Sequence, residues 1–212
     1  RQTGLLAPPK AVQRLPMAAP TRSPALALAL ALSLAACAAS SSPQESLMEA
    51  IELDSSQAVR DALLGENPPD INLKGAGGQT PVMTACLKGK ANAVDALIAG
   101  GADLTIGEDK GYTCVHGAAF QGRPEVIDVL EAHGVSLSDR HRDGFTPIHR
   151  ACWGRRAGHA QVVRRLLKYG VDPEEITGEG HEPLDICENA DARHDLVVAK
   201  ARKHGGTQHD EL

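Results

Sequence analysis

The sequence predicts short, close-packed helices in a repeat architecture, on three observations. The first is composition: 42% of the 212 residues are apolar, the share of an ordinary folded domain, but only 2% are aromatic. Tyr112, Phe120, Phe145, Trp153 and Tyr169 are all the large rings there are. Burial therefore falls to Ala, Val, Leu and Ile, which suits small helices better than a sandwich folded around large side chains. A nucleic-acid reader with stacking platforms is disfavoured for the same reason. The second is an internal period: Gly78-Gln79-Thr80-Pro81, Gly111-Tyr112-Thr113-Cys114 and Gly144-Phe145-Thr146-Pro147 set a turn at Thr80, Thr113 and Thr146, spaced by 33 and 33 residues. The third is the order of breakers and apolar residues after each turn. Gly89, Gly122 and Gly158 break a first helix, Val94, Ile127 and Val163 open a second apolar stripe, and Gly101, Gly134 and Gly170 close it as left-handed caps.

After the three threonines come Val82-Met83-Thr84-Ala85, Val115-His116-Gly117-Ala118 and Ile148-His149-Arg150-Ala151. These residues match T-P-L-H-x-A, and the chain resembles the ankyrin repeat family from about Ser46 to Lys203. The resemblance implies an all-α solenoid of stacked helix-turn-helix units with β-turn or hairpin loops. It also implies that Thr80, Thr113, Thr146, His116 and His149 are structural, each His hydrogen-bonding to its own turn.

In chain order, residues 1–16 read as an upstream, non-native segment, because Met17 opens a better-formed stretch. Residues 17–38 read as a secretory signal peptide: Arg22, then the twelve-residue apolar run Ala25 to Ala36, then small residues. A membrane anchor is the alternative, and Leu34-Ala35-Ala36-Cys37 also resembles a bacterial lipobox with Cys37 acylated. Residues 39–73 form a degenerate N-terminal repeat, with helices at Ser46 to Ile51 and Gln57 to Leu64. The full repeats are 74–106, 107–139 and 140–175. The third is three residues longer, and the extra length is placed near Gly154 to Ala157, in the turn between its helices. Residues 176–204 form a degenerate C-terminal repeat, in which Glu182-Pro183-Leu184-Asp185 imitates the signature. Terminal repeats present one face to water, so weak signatures are expected there. Residues 205–212 are a tail ending His209-Asp210-Glu211-Leu212, a retrieval signal of the endoplasmic reticulum. The localisation expected is the endoplasmic reticulum lumen, with no membrane span left after signal cleavage.

The residues that could carry chemistry are few. The histidines show no H-E-x-x-H or comparable metal spacing, and those outside the signature (His133, His141, His159, His181, His194, His204) are placed in loops or on polar faces. No C-x-x-C, phosphate-binding or nucleophile motif occurs, so neither an enzyme nor a cofactor is expected. Cys86, Cys114, Cys152 and Cys187 are expected as four free, buried thiols, because equivalent positions in adjacent repeats lie about 10 Å apart and a disulfide needs Cα atoms within about 7 Å.

The net charge is −5, and −9 once the four bases before Glu45 are removed. Against it stands a basic stretch: Arg140, Arg142, Arg150, Arg155, Arg156, Arg164, Arg165 and Lys168 give residues 140–168 a net charge of +7. This reads either as a patch for an acidic partner or as a solvated helix face.

In the ankyrin family partners sit on the concave face, at the residue before the Thr and at first-helix residues beyond it. Here those rows hold Gln79, Tyr112 and Phe145, and Leu87, Phe120 and Trp153, so four of the five rings fall on them. Aromatics are enriched at binding hot spots, although a ring in the second row can also pack on the next repeat. The resemblance thus implies a non-catalytic scaffold that binds a protein partner, acidic partners included, through this strip bordered by Lys110, Arg142, Arg155 and Arg156. No nucleic acid is expected, and the chain is expected to be a monomer. The alternatives are an accessory domain or subunit of a luminal enzyme or chaperone complex, or a lipidated periplasmic protein anchored at Cys37.

Overall fold

A computed structural model describes residues 42–205. The expected signal peptide, Cys37 and the His209 to Leu212 signal lie outside them. The described residues form ten α-helices and no strands. They run as α1 (Pro43–Glu52), α2 (Ser56–Leu64), α3 (Pro81–Lys88), α4 (Ala91–Ala99), α5 (Cys114–Gln121), α6 (Pro124–Ala132), α7 (Pro147–Cys152), α8 (Ala157–Lys168), α9 (Pro183–Ile186) and α10 (Ala190–Gly205). No helix among the described residues is long and apolar enough to cross a membrane.

Every helix pair after α1 and α2 begins at a tight turn. Backbone N–H groups of Gly75, Glu108, His141 and Thr177 donate to the carbonyls of Gln79, Tyr112, Phe145 and His181, at 2.9 to 3.0 Å. The next Thr starts the first helix: the Thr80 hydroxyl accepts from Met83 N–H at 3.3 Å, and Pro81 and Pro147 occupy the first helical position, where no backbone donor is needed. The first helices of repeats 1 and 2 end on Gly89 and Gly122, both left-handed with φ of 77° and 67°. One face of each helix is then buried against its neighbours, on Val82, Ala85, Val94, Leu97, Val115, Ala118, Ile127, Leu130, Ile148, Val163 and Leu166. The core holds no aromatic ring.

Three expectations need correction. The third repeat does not place its extra residues in the inter-helix turn alone, and Gly158 does not end its first helix. α7 has six residues where α3 and α5 have eight, and α8 has twelve where α4 and α6 have nine. The first helix stops early, and the second starts about a turn early with Gly158 inside it. Close approach explains the residue types: a Cβ on Gly158 would lie 2.4 Å from the Gly122 carbonyl oxygen, and one on Gly154 would overlap the His159 ring.

The four free thiols are also corrected, because Cys86 and Cys114 are disulfide-bonded with their Cα atoms 5.6 Å apart. The spacing of about 10 Å holds for equivalent positions. These are not equivalent: Cys86 lies near the end of α3 and Cys114 is the first residue of α5, so the offset brings them together. Cys152 and Cys187 are free and buried. Finally, His159 lies on the buried face of α8 and not in a loop or on a polar face, and His141, in a loop as expected, is buried as well. Their Nε2 atoms meet the carbonyls of Lys110 and Phe120, each at 3.0 Å, so each ring ties its repeat to the one before.

Candidate functional site

Turn tips and first helices of successive repeats form one face, and a hollow of about 400 Å³ opens in it over the junction of repeats 1 and 2. Gly117 makes the space. It occupies the position that Arg150 holds one repeat later, and a Cβ there would come within 3.0 Å of the Met83 and Leu87 side chains. Gln79, Met83 and Leu87 line one side; Tyr112, Phe120, Lys110 and Glu108 line the other, and Arg150 closes the end toward repeat 3.

Arg150 organises the wall. It is buried, and its guanidinium carbon lies 4.6 Å from the Tyr112 ring centroid, 5.1 Å from Phe145 and 4.6 Å from Trp153. A cation over ring faces in a partly dried site is favoured by the ring quadrupoles. One guanidinium nitrogen donates to the Tyr112 hydroxyl at 3.0 Å and also pairs with Asp143. The Tyr112 hydroxyl in turn donates to Asp143 at 2.9 Å, and His141 packs on the Tyr112 ring at 4.0 Å between centroids. Burial opposes ionisation of Asp143, but hydrogen bonds from His141, Arg150, the Phe145 N–H and Tyr112 outweigh it and hold the carboxyl well below its ordinary range. Burial pushes Tyr112 up and His116 down. Each group is thus shifted toward the state it already holds at neutral pH. For Asp143 this is what pairing with Arg150 does: it holds the carboxylate charged.

The signature residues sit beneath this face. His116 Nδ1 meets the Thr113 hydroxyl at 2.9 Å and its Nε2 meets the Asp139 carbonyl at 2.9 Å; His149 Nδ1 meets the Thr146 hydroxyl at 2.8 Å. Burial lowers the pKa of His149 as well. A neutral ring donating from Nε2 and accepting at Nδ1 satisfies the His116 geometry. Among the described residues no three His, Cys, Asp or Glu side chains are grouped to hold a metal ion.

The structure brings Gln79, Leu87, Lys110, Tyr112 and Phe120 together around the hollow. Phe145 and Trp153 pack on each other at 4.8 Å and on Arg150, beside the hollow and not in it. Phe120 is the exposed ring of the four, at 51%. The predicted basic border is not assembled. Arg142 lines a separate shallow hollow with Arg140 and His141, Arg155 pairs with Glu188 at 2.5 Å, and Arg156 is exposed beside it. Nor does the basic stretch stand uncompensated: Arg140, Arg150, Arg155, Arg164 and Arg165 are each paired with a carboxylate.

Asp143, Met83 and Gly117 were missed as site residues by sequence reasoning, and Arg150 was read as part of the basic stretch and not as the partner of the rings. The available signal was the variable position of T-P-L-H-x-A, which reads Thr84, Gly117 and Arg150. A glycine and an arginine there mark a missing side chain next to an oversized one.

A family model described as ankyrin repeats, in three copies, matches residues 47–140 and 101–177, more than half of the chain. The chain belongs to the ankyrin repeat family. Ankyrin repeats are protein–protein interaction modules, and ankyrin-repeat proteins are generally non-catalytic scaffolds. A comparison with curated proteins finds no match.

Proposed function

We propose that this ankyrin array is a monomeric, non-catalytic module of the endoplasmic reticulum lumen that holds a protein partner in the hollow between repeats 1 and 2. The observation that carries the reading is the hollow itself, with exposed Phe120 on one side and a pre-assembled Arg150, Tyr112 and Asp143 cluster at its end. Tyr112 and Arg150 are held in place before a partner arrives, so little ordering cost falls on binding. An apolar side chain entering the hollow covers Phe120, Leu87 and Met83, while its backbone or an acidic neighbour reaches Lys110.

For the lumen, support comes from the signal-like stretch Met17 to Ala38, the His209 to Leu212 tetrapeptide, and the Cys86–Cys114 disulfide, which suits an oxidising compartment. Two measurements test the two halves of the proposal. Proximity labelling in the lumen, compared with a chain lacking Asp210 to Leu212, should lose luminal neighbours when the tetrapeptide is removed. Partners recovered with the intact chain should then be lost with Phe120→Ala plus Lys110→Glu, both exposed and outside the core. Partners that bind this variant as well as the parent would refute the hollow as the site.

A further inference from the structure

Two thiols meet at the junction of the third repeat and the C-terminal repeat. Cys152 is the last residue of α7 and has no exposed surface; Cys187 directly follows the four-residue α9 and is 4% exposed. The two side chains lie against each other, and the Cys187 S–H donates to the Asn189 carbonyl at 3.8 Å. The Glu188 N–H donates to the Cys152 carbonyl at 3.0 Å, and bond lengths alone then keep the two Cα atoms within about 8 Å. Both thiols stand at the C-terminal ends of neighbouring first helices, and the short α9 lets the chain after it fold back onto Cys152.

We propose that Cys152 and Cys187 are a second cross-linking site, closed by exchange with a small aliphatic disulfide such as oxidised glutathione. Cys187 is the attacking sulfur, because it follows α9 at the edge of the terminal repeat and keeps some exposed surface where Cys152 has none; its thiolate is the reactive form. Its thiolate attacks one sulfur of the oxidant, breaks the oxidant's S–S bond and releases one small thiolate, leaving a mixed disulfide on Cys187. Cys152 then gives up its proton and attacks Cys187 Sγ, expelling the second small thiolate. Two protein thiols lose two electrons and two protons; one small disulfide gains them and becomes two thiols.

Access comes from the weakness of the terminal repeat. Of the 16 residues of α10 only Ala192 and Leu196 are buried, and ion pairs such as Arg164 with Asp195 add to that packing. Local opening of such a segment costs far less than global unfolding, and it uncovers Cys187 at the gap between α9 and α10. The cross-link has a consequence beyond the junction. Asn189, two residues on, donates to the Arg155 and Arg156 carbonyls at 3.1 and 3.2 Å. Locking Cys187 therefore also fixes the turn after Trp153.

The test uses the full chain and does not depend on where the protein resides. It is incubated with oxidised glutathione at mildly alkaline pH, denatured in iodoacetamide and digested with trypsin. The expected product links peptide 151–155 to peptide 169–193, with their alkylated forms correspondingly lost. Amide exchange over residues 190–203 should slow by about tenfold in the oxidised protein. A Cys187→Ser chain, treated identically, should show neither effect. Full alkylation of both cysteines after oxidation, glutathione retained on Cys187 with no link, or links only to Cys86 or Cys114 would each overturn the site. A link that leaves the amides unchanged would overturn its role in fixing the terminal repeat.

Discussion

Between repeats 1 and 2, two eight-residue helices, α3 and α5, bury Val82, Ala85, Val115 and Ala118 and are joined by the Cys86–Cys114 disulfide. Between repeat 3 and the C-terminal repeat, the four-residue α9 and the mostly exposed α10 are fastened by Arg155 to Glu188, Arg164 to Asp195, Lys200 to Glu174 and Lys203 to Asp172. Stacking explains the contrast. An inner repeat has a neighbour on both sides and gains by apolar burial, whereas an end repeat must show water one face and so has fewer apolar positions to set against its single neighbour. Charge pairs replace packing there, and exposed pairs contribute only a few tenths of a kcal/mol each. The array should therefore be strongest at the junction of repeats 1 and 2 and looser at its C-terminal one.

The most direct way to break that contrast is Cys86→Ala with Cys114→Ala. The bond closes a segment with a sequence separation of 28, and chain entropy assigns such a link about 3–4 kcal/mol. Denaturant unfolding should show a loss of that order, with the amides of α3 and α5 losing the exchange protection that sets them above residues 190–203. A loss under about 1 kcal/mol would mean that apolar packing alone makes the difference between the junctions.

Asp143→Asn comes next, and it targets the junction of repeats 2 and 3, where a buried charge mixes the two kinds of attachment. It leaves Arg150 buried without its carboxylate. Removing one partner of a buried pair is costly, but Asp143 is one-third exposed in its side chain, so a loss of about 2 kcal/mol is expected. Denaturant titration measures it, and near-ultraviolet circular dichroism of Trp153 should change as the Arg150 stack loosens.

How far this was legible in the sequence differs between parts of the molecule. The array is spelled out by local chemistry that repeats: Thr80, Thr113 and Thr146 start helices, and Gly89 and Gly122 end them wherever they stand. The hollow is legible only halfway. Tyr112, Phe120, Leu87, Gln79 and Lys110 follow from repeat position, but Arg150 and Asp143 depend on contacts across 7 and 38 residues that no single-repeat pattern encodes. The same holds for the cysteines. Comparing equivalent positions hid the Cys86–Cys114 pair, because bonding depends on the offset between helices and not on the repeat length. The basic stretch misled because its partners Asp128, Glu175, Glu188 and Asp195 lie in other segments.

Acid should weaken the inner repeats before it reaches the ion pairs. Burial lowers the pKa of His116 and His149 from the ordinary 6.5. Below pH 6.5 the unfolded chain therefore binds protons that the folded chain refuses, and stability falls as pH drops. Each histidine contributes a slope of up to about 1.4 kcal/mol per pH unit until its folded form titrates. Asp143 acts in the opposite range. Its carboxyl is depressed, so its stabilisation is full above the ordinary 3.8 and is lost only as pH falls below it. Thermal melts from pH 7.5 to 3 should show two declines, and His116→Gln should flatten the first while leaving the second.

The smallest expected effect tests the C-terminal side directly. Arg164 reaches Asp195 at 2.9 Å with 59% of its side chain exposed, so Arg164→Ala should cost about 0.3 kcal/mol. Arg165 is the informative neighbour, since it meets Asp128 at 2.7 Å with 31% exposure and Asp128 also receives the Tyr169 hydroxyl. It joins repeat 3 to repeat 2, and Arg165→Ala should cost several times more. Both changes should lose most of their effect in about 1 M salt if they are Coulombic, because the screening length there is about 3 Å. If Arg164→Ala instead matches Arg165→Ala in size and salt response, the terminal repeat is held as firmly as the inner ones. Charge pairing would then equal apolar stacking at an end, and the loose junction that exposes Cys187 would not exist.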